Sequence, residues 1–136
     1  MKITKALIAL LITAGLTGIS CKKDNDDPSP APGPARTVKF ILYSNTDLSS
    51  DKGTITFTLH IGTPGHTIWD SVLAPMNIKD VPSLTKELVF QKIVPGNNNA
   101  DLQVGFLYTI TDVGNSWFLD IFKAGETQKT IEYDFK

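Results

Sequence analysis

The stretch Thr54-Ile55-Thr56-Phe57-Thr58-Leu59-His60-Ile61 decides the fold. Ile55, Phe57, Leu59 and Ile61 fall on one side of an extended chain, while Thr54, Thr56, Thr58 and His60 fall on the other. A period of two carried by β-branched and aromatic residues marks a half-buried β-strand. The same period recurs on either side of it. Upstream, Val38, Phe40 and Leu42 share one face. Downstream, a third strand runs over about 66–73 with an ambiguous register, and a fourth over about 84–94 can bury Leu88, Phe90 and Val94. A fifth lines up Leu102, Val104, Phe106, Tyr108 and Ile110. The sixth sets Trp117, Leu119 and Ile121 against Phe118 and Phe122. Being apolar on both faces, it is expected in the middle of a sheet or under a loop. The last turns Ile131, Tyr133 and Phe135 inward and Thr130, Glu132 and Asp134 outward.

Turn chemistry separates these runs at Asp51-Lys52-Gly53, Gly62-Thr63-Pro64-Gly65, Pro95-Gly96-Asn97, Asp112-Val113-Gly114-Asn115 and Ala124-Gly125-Glu126. No long segment after residue 36 carries a helical period. Residues 83–92 come nearest, and the crowding of Val89, Phe90, Ile93 and Val94 favours a strand there. Residues 36–136 therefore read as one all-β domain, a single antiparallel β-sandwich of about seven strands. In architecture this resembles immunoglobulin-like or transthyretin-like sandwiches. The chain has a single cysteine, so the Cys-Trp-Cys signature of true immunoglobulin domains is absent and the resemblance is architectural.

Before the domain lies a different kind of sequence. Lys2 and Lys5 precede an apolar run from Ala6 to Ile19, about the length of a signal-peptide core and short of the roughly 20 residues that span a bilayer. The run ends in Leu16-Thr17-Gly18-Ile19-Ser20-Cys21. A lone cysteine in an exported chain has no disulfide partner. The stretch resembles the lipobox of bacterial lipoproteins, although Gly18 stands where that family favours Leu. The resemblance implies removal of residues 1–20 and lipidation (diacylglycerol on the thiol, palmitate among the acyl chains) at Cys21. Lys22-Lys23-Asp24-Asn25-Asp26-Asp27 is similar to the acid-rich export signals of surface lipoproteins in Bacteroidetes-type bacteria. This implies an outer-membrane, surface-exposed location. The bland alternative is a solvated charge run. Residues 21–35 then form a tether, with Pro28-Ser29-Pro30-Ala31-Pro32-Gly33-Pro34 favouring an extended spacer.

The 136 residues carry a formal charge of −1, and loss of Lys2 and Lys5 leaves 11 basic against 14 acidic residues. That balance offers no electrostatic footprint for nucleic acid. If successive connections reverse direction, the loops at 44–53, 74–83 and 112–115 gather at the end away from the tether. They carry Asp47, Asp51, Asp80, Asp112 and Asn115, with Trp117 just beyond, and form a possible ligand-binding tip. The 62–65, 95–101 and 124–126 loops share the tether end. The same Asp and Asn residues also suit turns for purely local reasons.

Catalytic chemistry finds little support. His60 and His66 lack a third soft ligand for zinc, so no metal or cofactor is expected. Calcium could draw oxygens from several distal loops, yet no Asp-x-Asp-x-Asp-Gly loop is present. Asp70, Glu87 and Asp120 are carboxylates without a marked pairing. Gly-x-Ser-x-Gly, Cys-His and phosphate-cradling glycine motifs are absent. Trp69 and Trp117 could stack on a sugar, though a sandwich Trp belongs more often to the core. Two function classes remain, and no enzyme is expected. The first is a membrane-anchored, non-catalytic binding or accessory module for a glycan, peptide or envelope protein. The second is a structural subunit of an envelope assembly that uses a sheet edge. Glu132, Asp134 and Lys136 would blunt strand addition at the last strand, which favours the first.

Overall fold

The computed structural model describes residues 33–96 and 98–136. Cys21 and the acidic run therefore lie outside the described residues. The elements are β1 (Thr37–Tyr43), β2 (Thr54–Thr63), β3 (His66–Val72), β4 (Met76–Asn77), two 3-10 turns at Ile78–Asp80 and Leu84–Lys86, β5 (Leu88–Ile93), β6 (Leu102–Ile110), β7 (Gly114–Phe122) and β8 (Gln128–Asp134). They make two sheets, one ordered β5-β1-β8 and one ordered β3-β2-β6-β7, with β4 on the start of β2. Every ladder is antiparallel except β1 with β8, which runs parallel.

The alternating apolar residues meet between the sheets. Val38, Phe40, Leu42 and Ile131 from one side pack on Ile55, Phe57, Leu59, Ile61, Leu102, Val104 and Phe106 from the other, all essentially buried. Aromatic edges stitch the layers together. Phe40 and Phe106 meet edge-on at 5.7 Å between ring centroids, and Phe57 meets Phe135 at the same distance. Such pairs add directional preference to simple area burial. In the constant-type immunoglobulin order the first two strands share a sheet. Here β1 and β2 lie in opposite sheets. The sandwich therefore does not follow the constant-type strand order.

Two expectations need correction, and one left open is resolved. The fourth strand starts at Leu88 rather than near Leu84, because residues 84–86 form a 3-10 turn. The ambiguous third strand turns Trp69 inward against Phe40, 6.4 Å between centroids, with a register shift opposite Ile61/Gly62. The largest correction concerns β7, which is neither central nor under a loop. It is the outermost strand of the larger sheet. Its inner face overhangs the edge of the narrower sheet, where Phe118 stacks on Tyr133 at 4.8 Å and Asp120 meets Lys129 at 2.6 Å. Apolar residues on both faces thus mark an edge strand with one face on solvent.

The loops segregate as strand reversal demands. Ile78 N–H donates to Gly53 O, Thr111 N–H to Thr54 O and Ser44 N–H to Pro82 O, so loops 44–53, 73–83 and 111–113 share one end. At the other end sits Arg36, 5 % exposed. Its Nε donates to Glu126 O (3.0 Å), Nη1 to Asn98 O (3.0 Å) and Ala100 O (2.8 Å), and Nη2 to Phe122 O (3.0 Å) and Lys123 O (2.7 Å). The guanidinium lies 3.9 Å from the centre of the Phe122 ring. All five donors of the fork are used, which a lysine could not match. Burial lowers the Arg36 pKa, opposed by Glu126 and Asp101, but from so high a starting value that the group stays charged.

Removing the fork leaves buried carbonyls without donors. Arg36→Met is expected to lower the unfolding free energy by about 3 kcal/mol or more in urea titrations. A change below about 1 kcal/mol would mean that the carbonyls are rehydrated without penalty. At high pH a second group matters. Burial, then the neighbouring Tyr108, hold the Tyr133 phenol protonated above its usual range. The folded-state pKa is raised, so this contribution is whole below about pH 10 and declines as pH rises beyond it. Tyr133→Phe should flatten the fall in unfolding midpoint above pH 10, and an unchanged slope would contradict the assignment.

Candidate functional site

At the tip, local hydrogen bonds account for most of the predicted residues. Asp47 Oδ1 accepts Ser49 N–H at 3.0 Å and Asp51 Oδ1 accepts Gly53 N–H at 2.8 Å. Asn77 Nδ2 donates to Asp80 Oδ2 at 2.8 Å, and Thr109 Oγ1 donates to Asn115 Oδ1 at 2.7 Å. The Ser49 N–H and hydroxyl hold the Asp47 carboxyl below its ordinary range. Asp112 takes a positive φ of 63° in the β6–β7 turn, a conformation Asp tolerates better than most residues. These loops do share one end, where a cleft of about 290 Å³ is lined by Ser49, Ser50, Asp51, Lys52, Asn77 and Lys79. Of the six predicted residues only Asp51 lines it. Among the described residues no three His, Cys, Asp or Glu side chains are grouped to hold a metal.

Trp117 belongs elsewhere. It lies within β7 opposite Leu107, three residues beyond Gly114, and points outward from the larger sheet. Successive rows across that face read Trp117–Leu107–Thr58–Val72, then Leu119–Gly105–His60–Asp70, then Ile121–Gln103–Gly62. Leu107, Trp117, Leu119 and Ile121 therefore adjoin one another on β6 and β7. Trp117 is 69 % exposed and Ile121 38 %. The outer face of the smaller sheet also shows Val89 and Ile93, but its rows interleave Gln91, Lys39, Thr130 and Glu132. Among the described residues the β6–β7 face carries the larger contiguous apolar cluster, against Val89 beside Ile41 on the smaller sheet, and contiguous exposed apolar area marks an interaction surface.

Two details shape this face. A Cβ at Gly105 would run into the Phe118 carbonyl and the Leu119 Cα, so β6 and β7 approach closely there and no side chain separates Leu119 from His60. His60, expected to be solvated, is 8 % exposed. Its Nδ1 lies 2.7 Å from Asp70 Oδ1, and its other nitrogen lies over Gly62, where a Cβ would stand only 2.7 Å away. The Gly62 gap thus lets the ring lie flat on its own strand. His66 sits opposite Thr63 and the two histidines do not share a site. Of the scattered carboxylates, Asp70 is taken by His60 and Asp120 by Lys129. Lys129 and the Ile121 N–H lower the Asp120 pKa.

Comparison of the chain with protein-family models, with curated proteins and with solved structures returns no match in any of the three. The site is therefore argued from its own geometry. Sequence patterning had found the residues of β7 but assigned them to the interior. An edge position was the missing information, and period-two alternation does not carry it.

If Trp117 serves recognition rather than packing, its removal should leave the fold intact. Trp117→Ala is expected to change stability by no more than about 0.5 kcal/mol, whereas Phe57→Ala in the core should cost about 3–5 kcal/mol. Comparable losses at both positions in thermal unfolding would return Trp117 to a structural role.

Proposed function

We propose that this chain is a surface lipoprotein, anchored to the outer membrane through Cys21, whose sandwich is a non-catalytic module that binds an envelope protein. The observation that carries the reading is the contiguous outer face of Leu107, Trp117, Leu119 and Ile121. Its chemistry favours a protein over a glycan. Sugar platforms pair an aromatic ring with free hydrogen-bonding groups, whereas Trp117 is flanked on this face by Leu107 and Leu119 and by Asn115 and Thr109, which bond to each other. Exposed Trp beside aliphatic residues is the composition of an interface centre. The tip cleft supports a ligand less well, since its acids are engaged by their own loops.

A second reading, a structural subunit that offers a sheet edge, is favoured by β7 as well. The edge expected to be guarded was β8, and it carries Glu132 and Asp134, with Lys136 just beyond. The β7 edge carries one carboxylate in nine residues.

Mild cross-linking on intact cells, followed by recovery of the chain, tests the proposal. A protein partner should be recovered with the wild type and reduced at least tenfold with Trp117→Ala or Ile121→Ser. Cys21→Ala should leave the signal uncleaved or shift the chain out of the membrane fraction. Recovery that is indifferent to both face substitutions would overturn the binding surface. Normal processing and membrane retention of the Cys21→Ala variant would overturn the anchor.

A further inference from the structure

We infer that β7 pairs edge to edge with β7 of a second copy of this chain, joining the two larger sheets into one continuous sheet. The inference is independent of the lipoprotein reading, since nothing in it uses Cys21 or a membrane. It starts from which main-chain groups are free. The Phe118 carbonyl lies against Gly105 of β6. Alternation along a strand then directs the N–H and C=O of Asn115, Trp117, Leu119 and Ile121 away from β6, toward the open edge. The Ile121 N–H fits this parity, since Asp120 Oδ1 rather than β6 accepts it at 2.7 Å; that carboxylate has to swing off the edge for the outermost rungs, Asn115 with Ile121, to close.

Edges of soluble sheets are ordinarily blunted by charge, proline, bulges or brevity. The other three edges here follow that rule. β8 carries Glu132 and Asp134, β3 carries Asp70 and faces a register shift, and β5 carries Lys92 and is followed by Pro95. β7 is nine residues long, and its one charge, Asp120, pairs with Lys129 through Oδ2 while Oδ1 covers a single edge N–H, that of Ile121. Trp117, Phe118 and Ile121 stand exposed along it.

The occupant is a second copy because β7 complements itself. An antiparallel two-fold centred on Phe118, the middle of the nine, places Trp117 opposite Leu119 and Asn115 opposite Ile121. Ser116 falls opposite Asp120, so no like charges meet. Outward-directed main-chain groups then face outward-directed groups, as an antiparallel ladder requires. Moving the axis to Asp120 would oppose two carboxylates, and moving it to Ser116 would set Asp120 against Asp112. On the inner face Phe118 would meet its counterpart, extending each Phe118–Tyr133 stack across the axis. On the outer face the two apolar clusters become continuous. A strand-to-strand contact lies at the low end of specific interface sizes, about 1,200 Å² or less in total, so the dimer should dissociate on dilution.

The test is the oligomeric state of the purified full chain by sedimentation equilibrium. The wild type should show a concentration-dependent doubling of mass. Leu119→Pro, which removes an edge-directed N–H that β6 does not use, should be monomeric with an unchanged circular dichroism spectrum. Should that variant fail to fold, thiol pairing decides. With Cys21→Ser as background, Phe118→Cys should oxidise to a disulfide-linked dimer, since it would meet itself across the axis, and Asn115→Cys should not. A wild-type monomer at millimolar concentration, or equal cross-linking at both positions, would overturn the proposal. These readouts use purified chain alone, so failure here leaves the envelope-partner reading standing, and the converse holds.

Discussion

Five carbonyl oxygens converge on the Arg36 guanidinium, and the tether-side end of the sandwich depends on that convergence. They belong to Asn98, Ala100, Phe122, Lys123 and Glu126, which flank the start of β6, the end of β7 and the turn into β8. Arg36 also immediately precedes β1, and its own carbonyl accepts the Val94 N–H at the end of β5. One residue, through its side chain and its main chain, thus ties together five strand termini from both sheets. Carbonyls at loop ends have no ladder partners, and burying them without donors is unfavourable. A planar cation with five fixed donors answers that need at a single point, and the Phe122 ring beneath it keeps water from competing.

How much of this could be read from the sequence depended on whether a signal was local. The inward sets on β1, β2, β6 and β8 are written as strict alternation, and the structure buries those residues as the alternation demands. The sharing of one end by loops 44–53, 74–83 and 112–115 followed from counting reversals. Arg36 was not legible, because its partners are backbone carbonyls more than sixty residues away and any residue types could supply them. His60 looked exposed for a similar reason. Only the glycine two residues on, and an aspartate on the next strand, make room for its ring to lie down. The strand β7 misled because a doubly apolar strand is usually central, and edge position is a property of the whole sheet order.

The unequal width of the two sheets links these points to the site. With four strands over three, β7 has half a neighbour. Its inward Phe118 and Asp120 reach the rim of the narrower sheet, while its outward Trp117, Leu119 and Ile121 have no layer above them. The acidic tip shows the opposite condition, with polar groups in plenty but most already satisfied within their own turns. Unmet bonding capacity, rather than chemical variety, separates the two ends of the molecule as recognition surfaces.

The parallel pairing of β1 with β8 has a mechanical meaning. Because the two strands run the same way, the chain enters the ladder at one pole and leaves it at the other, with Phe135 N–H bonded to Tyr43 O at the far end. Tension drawn between the two termini would therefore pull the strands lengthwise past each other. All rungs from Thr37 to Tyr43 would resist together, where a hairpin would open one rung at a time. Resistance to such a pull is governed by the height of the unfolding barrier and not by equilibrium stability. Pulled from its two ends, the sandwich would carry the load in shear along the whole β1–β8 ladder.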